Sequence, residues 1–147
     1  DVVARFARWP LETLELTHDD GTLDDATIAT LFASDAATLR RVKLDAATDA
    51  AAITIGTSPR AKQLQRLWLT IPELTPAGAR TLLEGLPALT WLRLDRDRKR
   101  DPFEDLAEVL LALPATHPLR VVSVGTFDLS TETRDALAER FLLDGSF

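Results

Sequence analysis

The stretch Leu64-Gln65-Arg66-Leu67-Trp68-Leu69 sets the pattern of this chain. It places an apolar residue at its first, fourth and sixth positions, and we call this six-residue pattern the hexad. Hexads start at residues 11, 39, 64, 89 and 119, so successive starts lie 28, 25, 25 and 30 residues apart. This spacing lies in or just above the range of repeat proteins whose units carry one strand and one covering segment.

The second half of each hexad alternates apolar, variable and apolar residues, which predicts a strand with one buried face. Repeated strands that run the same way predict a parallel sheet of about five strands, and parallel strands need covering connections that are usually helices. The helical segments that we predict are residues 24–32, the segment that Thr75 and Pro76 open, the segment that residues 101–104 open, and residues 130–143.

Each predicted helix has an apolar inner face. The inner residues that we expect are Ile28, Leu31, Leu82, Leu83, Leu86, Phe103, Leu106, Val109, Leu110, Leu137, Phe141 and Leu142. Glu104 stands where a capping box places an acid. Residues 45–63 show no clean helical period and contain Gly56 and Pro59, so we expect turns or a short extended piece there, with Gly56 as a turn residue.

Composition narrows the class of function. The length of 147 residues suits one domain, and a formal net charge of −6 does not favour general attraction to nucleic acid or anionic membrane. The chain has no cysteine, so disulfides and cysteine metal ligands are excluded. No apolar run approaches the roughly 18 residues that span a bilayer, and no signal peptide is visible. We therefore expect a protein partner, without nucleic acid or membrane, and a cytoplasmic location.

The ends of the chain suggest a segment of a longer product, because the sequence begins with Asp1 and contains no methionine. Residues 1–10 match the end of a preceding repeat or an N-terminal cap, in which Phe6 and Trp9 would be core or capping residues. Residues 130–147 are expected to form the C-terminal cap, with Phe141 and Phe147 covering the last repeat. The frequent use of Ala, Leu, Arg, Asp and Thr favours a bacterial coding sequence of high GC content.

The five in-register hexads resemble the leucine-rich repeat family, of the ribonuclease-inhibitor type or of short bacterial arrays. The resemblance implies a right-handed α/β solenoid with the parallel sheet on its concave face, helices on its convex face, and protein binding. Some members of the family serve as substrate-selecting arms of ligases or as activators of small GTPases, so the resemblance leaves open a module within a larger enzymatic protein. One feature departs from the family, which usually places Asn or Cys three residues after the last strand leucine. Those positions hold Asp19, Ala47, Pro72, Asp97 and Phe127.

The variable hexad positions predict a basic and aromatic cluster on the outward face of the sheet. Its members are Arg41, Lys43, Arg66, Trp68, Trp91 and Arg93. Trp and Arg are enriched in binding hot spots, and Arg pairs well with carboxylates, so we predict a binding centre for an acidic surface or peptide. One alternative is a cation–π ladder that only covers the sheet, with Lys43 and Arg93 beside Trp68. Another is permanent docking on a further domain or on a second copy of the chain.

The other candidate sites in the sequence have weaker support. Residues 95–101 form a charged loop that would either extend the basic cluster or be solvated, and we favour the solvated interpretation. His18 and His117 are far apart in the repeat order and lack metal-ligand spacing, while the acids near residues 19–24 are explained by helix capping. There is no glycine-rich phosphate loop or nucleophile elbow, so we expect no enzyme activity, cofactor or metal.

Overall fold

A computed structural model of the protein describes residues 5, 9–17, 22–33, 38–46, 48–95, 103–124 and 129–144. Its strands form one parallel sheet whose spatial order follows the chain order. The described strands are β1 (Thr13–Leu16), β2 (Arg41–Asp45), β3 (Arg66–Thr70), β4 (Trp91–Asp95), β5 (Val121–Val124) and β6 (Leu142–Leu143). The predicted α/β class and parallel sheet are therefore confirmed, with one strand more than the hexads predict.

Helices connect successive strands or follow them. Within the described ranges they are α1 (Asp25–Leu31), α2 (Asp49–Thr57), α3 (Pro76–Glu84), α4 (Glu104–Leu111) and α5 (Thr131–Arg140), with a 3-10 turn at Pro59–Ala61. The predicted starts at Asp24 and Thr75 are confirmed, because the Asp24 carboxylate accepts from Thr27 N and the Thr75 hydroxyl accepts from Gly78 N. None of the described helices combines the length and the apolar character that a membrane crossing needs.

The register of the sheet pairs equal hexad positions. Val42 aligns with Leu67, and Leu67 aligns with Leu92, so the apolar positions of successive hexads stack on one face. That face joins the inner sides of the helices in one hydrophobic core, where Leu67 and Leu92 have no exposed surface. All the predicted inner helix residues except Leu142 are buried in this core. Alternation at period two thus leaves every other strand residue on the opposite face, which we call the open face.

Residues 45–63 correct the prediction of turns, since they contain helix α2 and the 3-10 turn. Thr48 caps α2, and Ala51, Ala52, Ile55 and Gly56 are buried. Small residues line α2 where it approaches α3, and this hides the usual 3.6-residue contrast between apolar and polar positions. Gly56 therefore lies in the last turn of a helix, and the prediction that it forms a loop turn is wrong.

The C-terminal segment also differs from its prediction. Helix α5 ends at Arg140, Phe141 is extended, and Leu142–Leu143 form strand β6 beside β5. Leu142 is 72% exposed, so its predicted inward position is wrong, whereas Phe141 is buried as expected. The strand alternation places Leu142 on the open face between its less exposed neighbours.

Aromatic residues outside the hexads have mixed outcomes. Trp9 is 53% exposed, so it is not a core residue, although its backbone carbonyl accepts a hydrogen bond from Arg60. The predictions for Phe6 and Phe147 concern residues outside the described ranges. The same is true of Asp19, Ala47, Asp97 and Phe127 among the positions where the leucine-rich repeat pattern usually has Asn or Cys.

Acids in the first turns of the helices link neighbouring repeats. Asp25 of α1 accepts a hydrogen bond of 2.6 Å from the hydroxyl of Thr48, the N-cap of α2. Asp49 of α2 likewise accepts from the backbone N–H and the hydroxyl of Thr75, the N-cap of α3, at 3.0 and 2.8 Å. An acid at a helix start therefore fixes the start of the next helix as well as complementing its own helix dipole.

Glu104 follows the same rule and corrects the predicted capping box. The N-cap of α4 is Phe103, which provides no side-chain cap. The Glu104 carboxylate instead accepts from the backbone N–H of Ser130 and from the hydroxyl of Thr133, at the start of α5. The bonds from Thr133 and Ser130 lower the pKa of Glu104, because they stabilise its ionised form.

We expect Glu104→Gln to weaken the protein in a pH-dependent way. Since the folded-state pKa is below the unfolded value, the carboxylate contributes stability above the unfolded pKa and loses it as pH falls through the folded pKa. The stability difference between wild type and Glu104→Gln should be greatest near neutral pH and shrink in acid. Urea unfolding across a pH series measures it, with the exposed Glu108→Gln on the same helix as the control. A difference independent of pH would contradict the assigned role.

Candidate functional site

The open face carries its side chains in rows that cross the strands, with neighbours about 4.8 Å apart. We call the third hexad position and its β6 counterpart row one, and the fifth hexad position row two. Row one contains Thr13, Arg41, Arg66, Trp91, Val121 and Leu142, and row two contains Glu15, Lys43, Trp68, Arg93 and Ser123. The six predicted site residues all lie in these rows on three adjacent strands, β2, β3 and β4.

Row two centres on the indole of Trp68. The ammonium of Lys43 lies 4.4 Å from the Trp68 ring centroid, and the guanidinium carbon of Arg93 lies 4.1 Å from it. Lys43 and Arg93 come from the strands on either side of β3, so the ring lies between two cations. The structure therefore contains the cation–π stack of the ladder alternative, and each such contact is typically worth about 0.5–1 kcal/mol at exposed sites.

Acidic residues hold this stack in place. Asp95 accepts a hydrogen bond of 2.7 Å from the indole Nε1 of Trp68 and one of 3.0 Å from Nε of Arg93. At the other end, Lys43 Nζ lies 2.7 Å from a carboxylate oxygen of Glu15. Both cations of row two thus have an acidic partner within the protein. The stack is a pre-ordered surface whose charge is largely compensated.

Row one differs, because Arg41 and Arg66 are both exposed and align with each other on adjacent strands. Within the described part of the chain, no carboxylate forms an ion pair with either guanidinium. Arg66 lies over the Trp91 ring at 5.9 Å from its centroid. This pair of arginines is therefore a local excess of positive charge on an acidic chain. Like charges at facing positions of neighbouring strands repel each other, which is destabilising.

A shallow groove of about 350 Å³ lies beside these arginines. The groove is lined by Thr13, Leu14, Glu15, Arg41, Val42, Lys43, Arg66, Trp68 and Trp91. Its volume is near the lower end of typical ligand pockets, so it matches a few side chains of a partner better than a large cofactor. Chemically, it offers the guanidinium groups of Arg41 and Arg66, an indole face and a floor of strand residues.

Two groups in this site were not assigned roles by the sequence pattern. Asp95 and Glu15 hold the Trp68 stack, and both were recognisable only as outward-facing residues. Of the charged loop at residues 95–101, only Asp95 is described. Position alone predicts which side chains share a row, but it does not show which carboxylate reaches which cation.

Among the described residues, the rows of the open face contain no histidine. The side chain of His117 lies away from the rows, where Nδ1 accepts from the backbone N–H of Leu119 and Nε2 lies 3.2 Å from the Leu83 carbonyl. Both ring nitrogens therefore hold backbone groups in place. His18 is outside the described ranges. Over the residues that are described, no group of three or more His, Cys, Asp or Glu side chains is placed to hold a metal ion.

Compared with known proteins, the chain matches no protein-family model and no curated protein sequence. The chemistry of the open face is therefore the basis on which we propose a function.

Proposed function

We propose that this chain is a leucine-rich repeat solenoid that binds another protein and has no catalysis of its own. The open face is its concave binding surface, and the partner presents an acidic surface or acidic peptide. Arg41, Arg66 and Trp91 make the direct contacts, while Lys43, Trp68 and Arg93 form the ordered surface beside them. Neither a cofactor nor a metal takes part in this recognition.

The observation that carries the proposal is the exposed pair Arg41 and Arg66. The protein places the two arginines at aligned positions on adjacent strands and pairs neither with a described carboxylate, although both cations of row two have such partners. An acidic ligand would remove the repulsion between them and form charge-assisted hydrogen bonds, which are roughly twice as strong as neutral ones. Relief of this repulsion would therefore add to the binding free energy of an acidic partner.

The Trp68 stack contributes to affinity because its side chains are already held in place before the partner binds. Side chains that are already ordered lose little conformational entropy when a partner binds, and this loss is about 0.5–1.5 kcal/mol for each flexible side chain that must be immobilised. Two cations and Asp95 hold the Trp68 ring in the free protein. The partner therefore meets a pre-formed surface next to the two exposed arginines.

The double substitution Arg41→Ser/Arg66→Ser tests the proposal. We expect it to weaken binding of a fluorescent glutamate-rich peptide about a hundredfold, because each guanidinium contributes one charge-assisted contact of roughly 1.5 kcal/mol. The steepness with which affinity falls as salt rises should also decrease, since two charges have been removed. Fluorescence anisotropy titrations at several salt concentrations measure both effects.

A matched control is available in Arg80→Ser, which removes an exposed arginine from helix α3. This control should retain the affinity and the salt dependence of the wild type. Equal binding by the double variant and by Arg80→Ser would contradict the proposed site, because loss of Arg41 and Arg66 would then matter no more than loss of an arginine on helix α3.

A further inference from the structure

Row one changes its chemical character along its length. The residues on β2 and β3 are the arginines Arg41 and Arg66, whereas the residues on β4, β5 and β6 are Trp91, Val121 and Leu142. Trp91 and Val121 are partly exposed, and Leu142 is 72% exposed. The row therefore passes from a cationic half to an apolar half on neighbouring strands of one sheet.

The charge pattern along the strands shows which way a ligand would lie. Asp45 and Asp95 occupy the carboxyl ends of β2 and β4, four residues after Arg41 and Trp91. An acidic segment that followed β2 would pass from Arg41 toward the Asp45 carboxylate and meet repulsion. A segment that crosses the strands along row one keeps its acids near Arg41 and Arg66 and away from Asp45 and Asp95.

We infer that the partner presents an extended segment with an acidic block followed or preceded by an apolar block, and that this segment lies along row one. The acidic block contacts Arg41 and Arg66, and the apolar block contacts Trp91, Val121 and Leu142. This inference rests on the proposed function and deepens it, because it specifies the order of chemistry in the ligand. The row spans five steps of about 4.8 Å, or about 24 Å, which about seven extended residues cover.

Burial of the apolar half would contribute to the affinity for the partner in a way that salt does not screen. Burial of an exposed leucine removes apolar surface from water, and this effect does not depend on ionic strength in the way that contacts between charges do. The two halves of the row should therefore be separable by experiment. Substitutions in the cationic half change the salt dependence, and substitutions in the apolar half change the affinity at every salt concentration.

Three synthetic ten-residue peptides test the order of chemistry. The first has a block of glutamates next to a block of leucines. The second has the same composition with the two residue types alternating, and the third has serines in place of the leucines. We expect the block peptide to bind at least about fivefold more tightly than either of the others, because only it matches both halves of row one at once.

Leu142→Ser provides the matching change in the protein. It should weaken the block peptide about fivefold, leave the serine-containing acidic peptide unchanged and preserve the salt dependence. Ile53→Ser is the control, because Ile53 is 42% exposed on helix α2, outside the open face. Circular dichroism confirms that each variant is folded before binding is measured.

The outcomes separate this inference from the proposed function. If the block and alternating peptides bind equally, the order of chemistry is not read, and if Leu142→Ser behaves like Ile53→Ser, the apolar half is not used. Either result overturns the inference, while acidic recognition stands. If none of the acidic peptides binds, or if Arg41→Ser/Arg66→Ser has no effect, the proposed function fails as well. Preference for the block peptide that disappears in Leu142→Ser supports both.

Discussion

Gly85→Ala is expected to lower the free energy of unfolding by at least about 3 kcal/mol, at the upper end of what overpacking usually costs. Gly85 follows helix α3 with φ −78° and ψ −10°, a backbone conformation that alanine adopts readily. The cost therefore comes from space. A Cβ atom on Gly85 would lie 1.7 Å from the carbonyl oxygen of Gly56, at the end of α2.

The clash is severe because the atoms that the new Cβ would meet belong to the backbone of Gly56 and cannot rotate away. A Cβ atom on Gly56 would in turn lie 2.6 Å from the carbonyl oxygen of Thr81 in α3, so both glycines serve the close approach of the same two helices. Helix α2 contributes Ala51, Ala52 and Ile55 to the core behind the sheet. Moving the helices apart would open that core, and cavities in a core are themselves destabilising.

Gly78→Ala is the matched comparison. Its Cβ would meet the Asp49 carboxylate at 1.9 Å, and that side chain can rotate away at the cost of its bonds to Thr75. Alanine also has a higher helix propensity than glycine, which offsets part of that cost. Urea unfolding followed by circular dichroism should therefore rank Gly85→Ala as clearly more damaging than Gly78→Ala. Equal stabilities would show that the close approach of α2 and α3 is not required.

The strands and the grouping of the candidate site residues in shared rows were predictable because alternation and register act together. Lys43, Trp68 and Arg93 occupy the same position in successive hexads, so a parallel sheet in register had to make them neighbours. What the pattern could not show is the difference between the two rows. That difference depends on Asp95 and Glu15, whose side-chain directions are set by local packing and not by period.

Helix α2 and strand β6 were missed for different physical reasons. Helix α2 uses small residues to pack closely on α3, and such residues weaken the apolar periodicity that predicts a helix. At the C-terminus, the apolar run of Phe141, Leu142 and Leu143 fits either a helix or a strand. Pairing with β5 decides between them, since Leu142 N–H donates to the Arg120 carbonyl at 2.8 Å. This contact is tertiary, and no local pattern encodes it.

Arg60→Met is expected to cost about 3 kcal/mol, because it removes a buried cation that ties two segments together. Arg60 is only 1% exposed. Its guanidinium donates to the carbonyl of Leu31 at the end of α1 at 2.6 Å and to the carbonyl of Trp9 at 3.0 Å. Burial lowers the pKa of Arg60, yet an arginine remains protonated in proteins, so all its donors stay available.

Methionine retains much of the aliphatic volume of Arg60 and removes the donors. The decrease in the free energy of unfolding therefore measures the effect of losing the hydrogen bonds to Leu31 and Trp9. Arg140 gives a natural comparison, because it donates to the carbonyls of Leu111 and Pro114 at the end of α4 from a partly exposed position. Water can replace a donor there, so Arg140→Met should cost less than Arg60→Met. The exposed Arg80→Met is the control for loss of charge. Urea unfolding that gave the same loss for Arg60→Met and Arg80→Met would mean that the buried guanidinium contributes no net stability, since its desolvation would then cancel its hydrogen bonds.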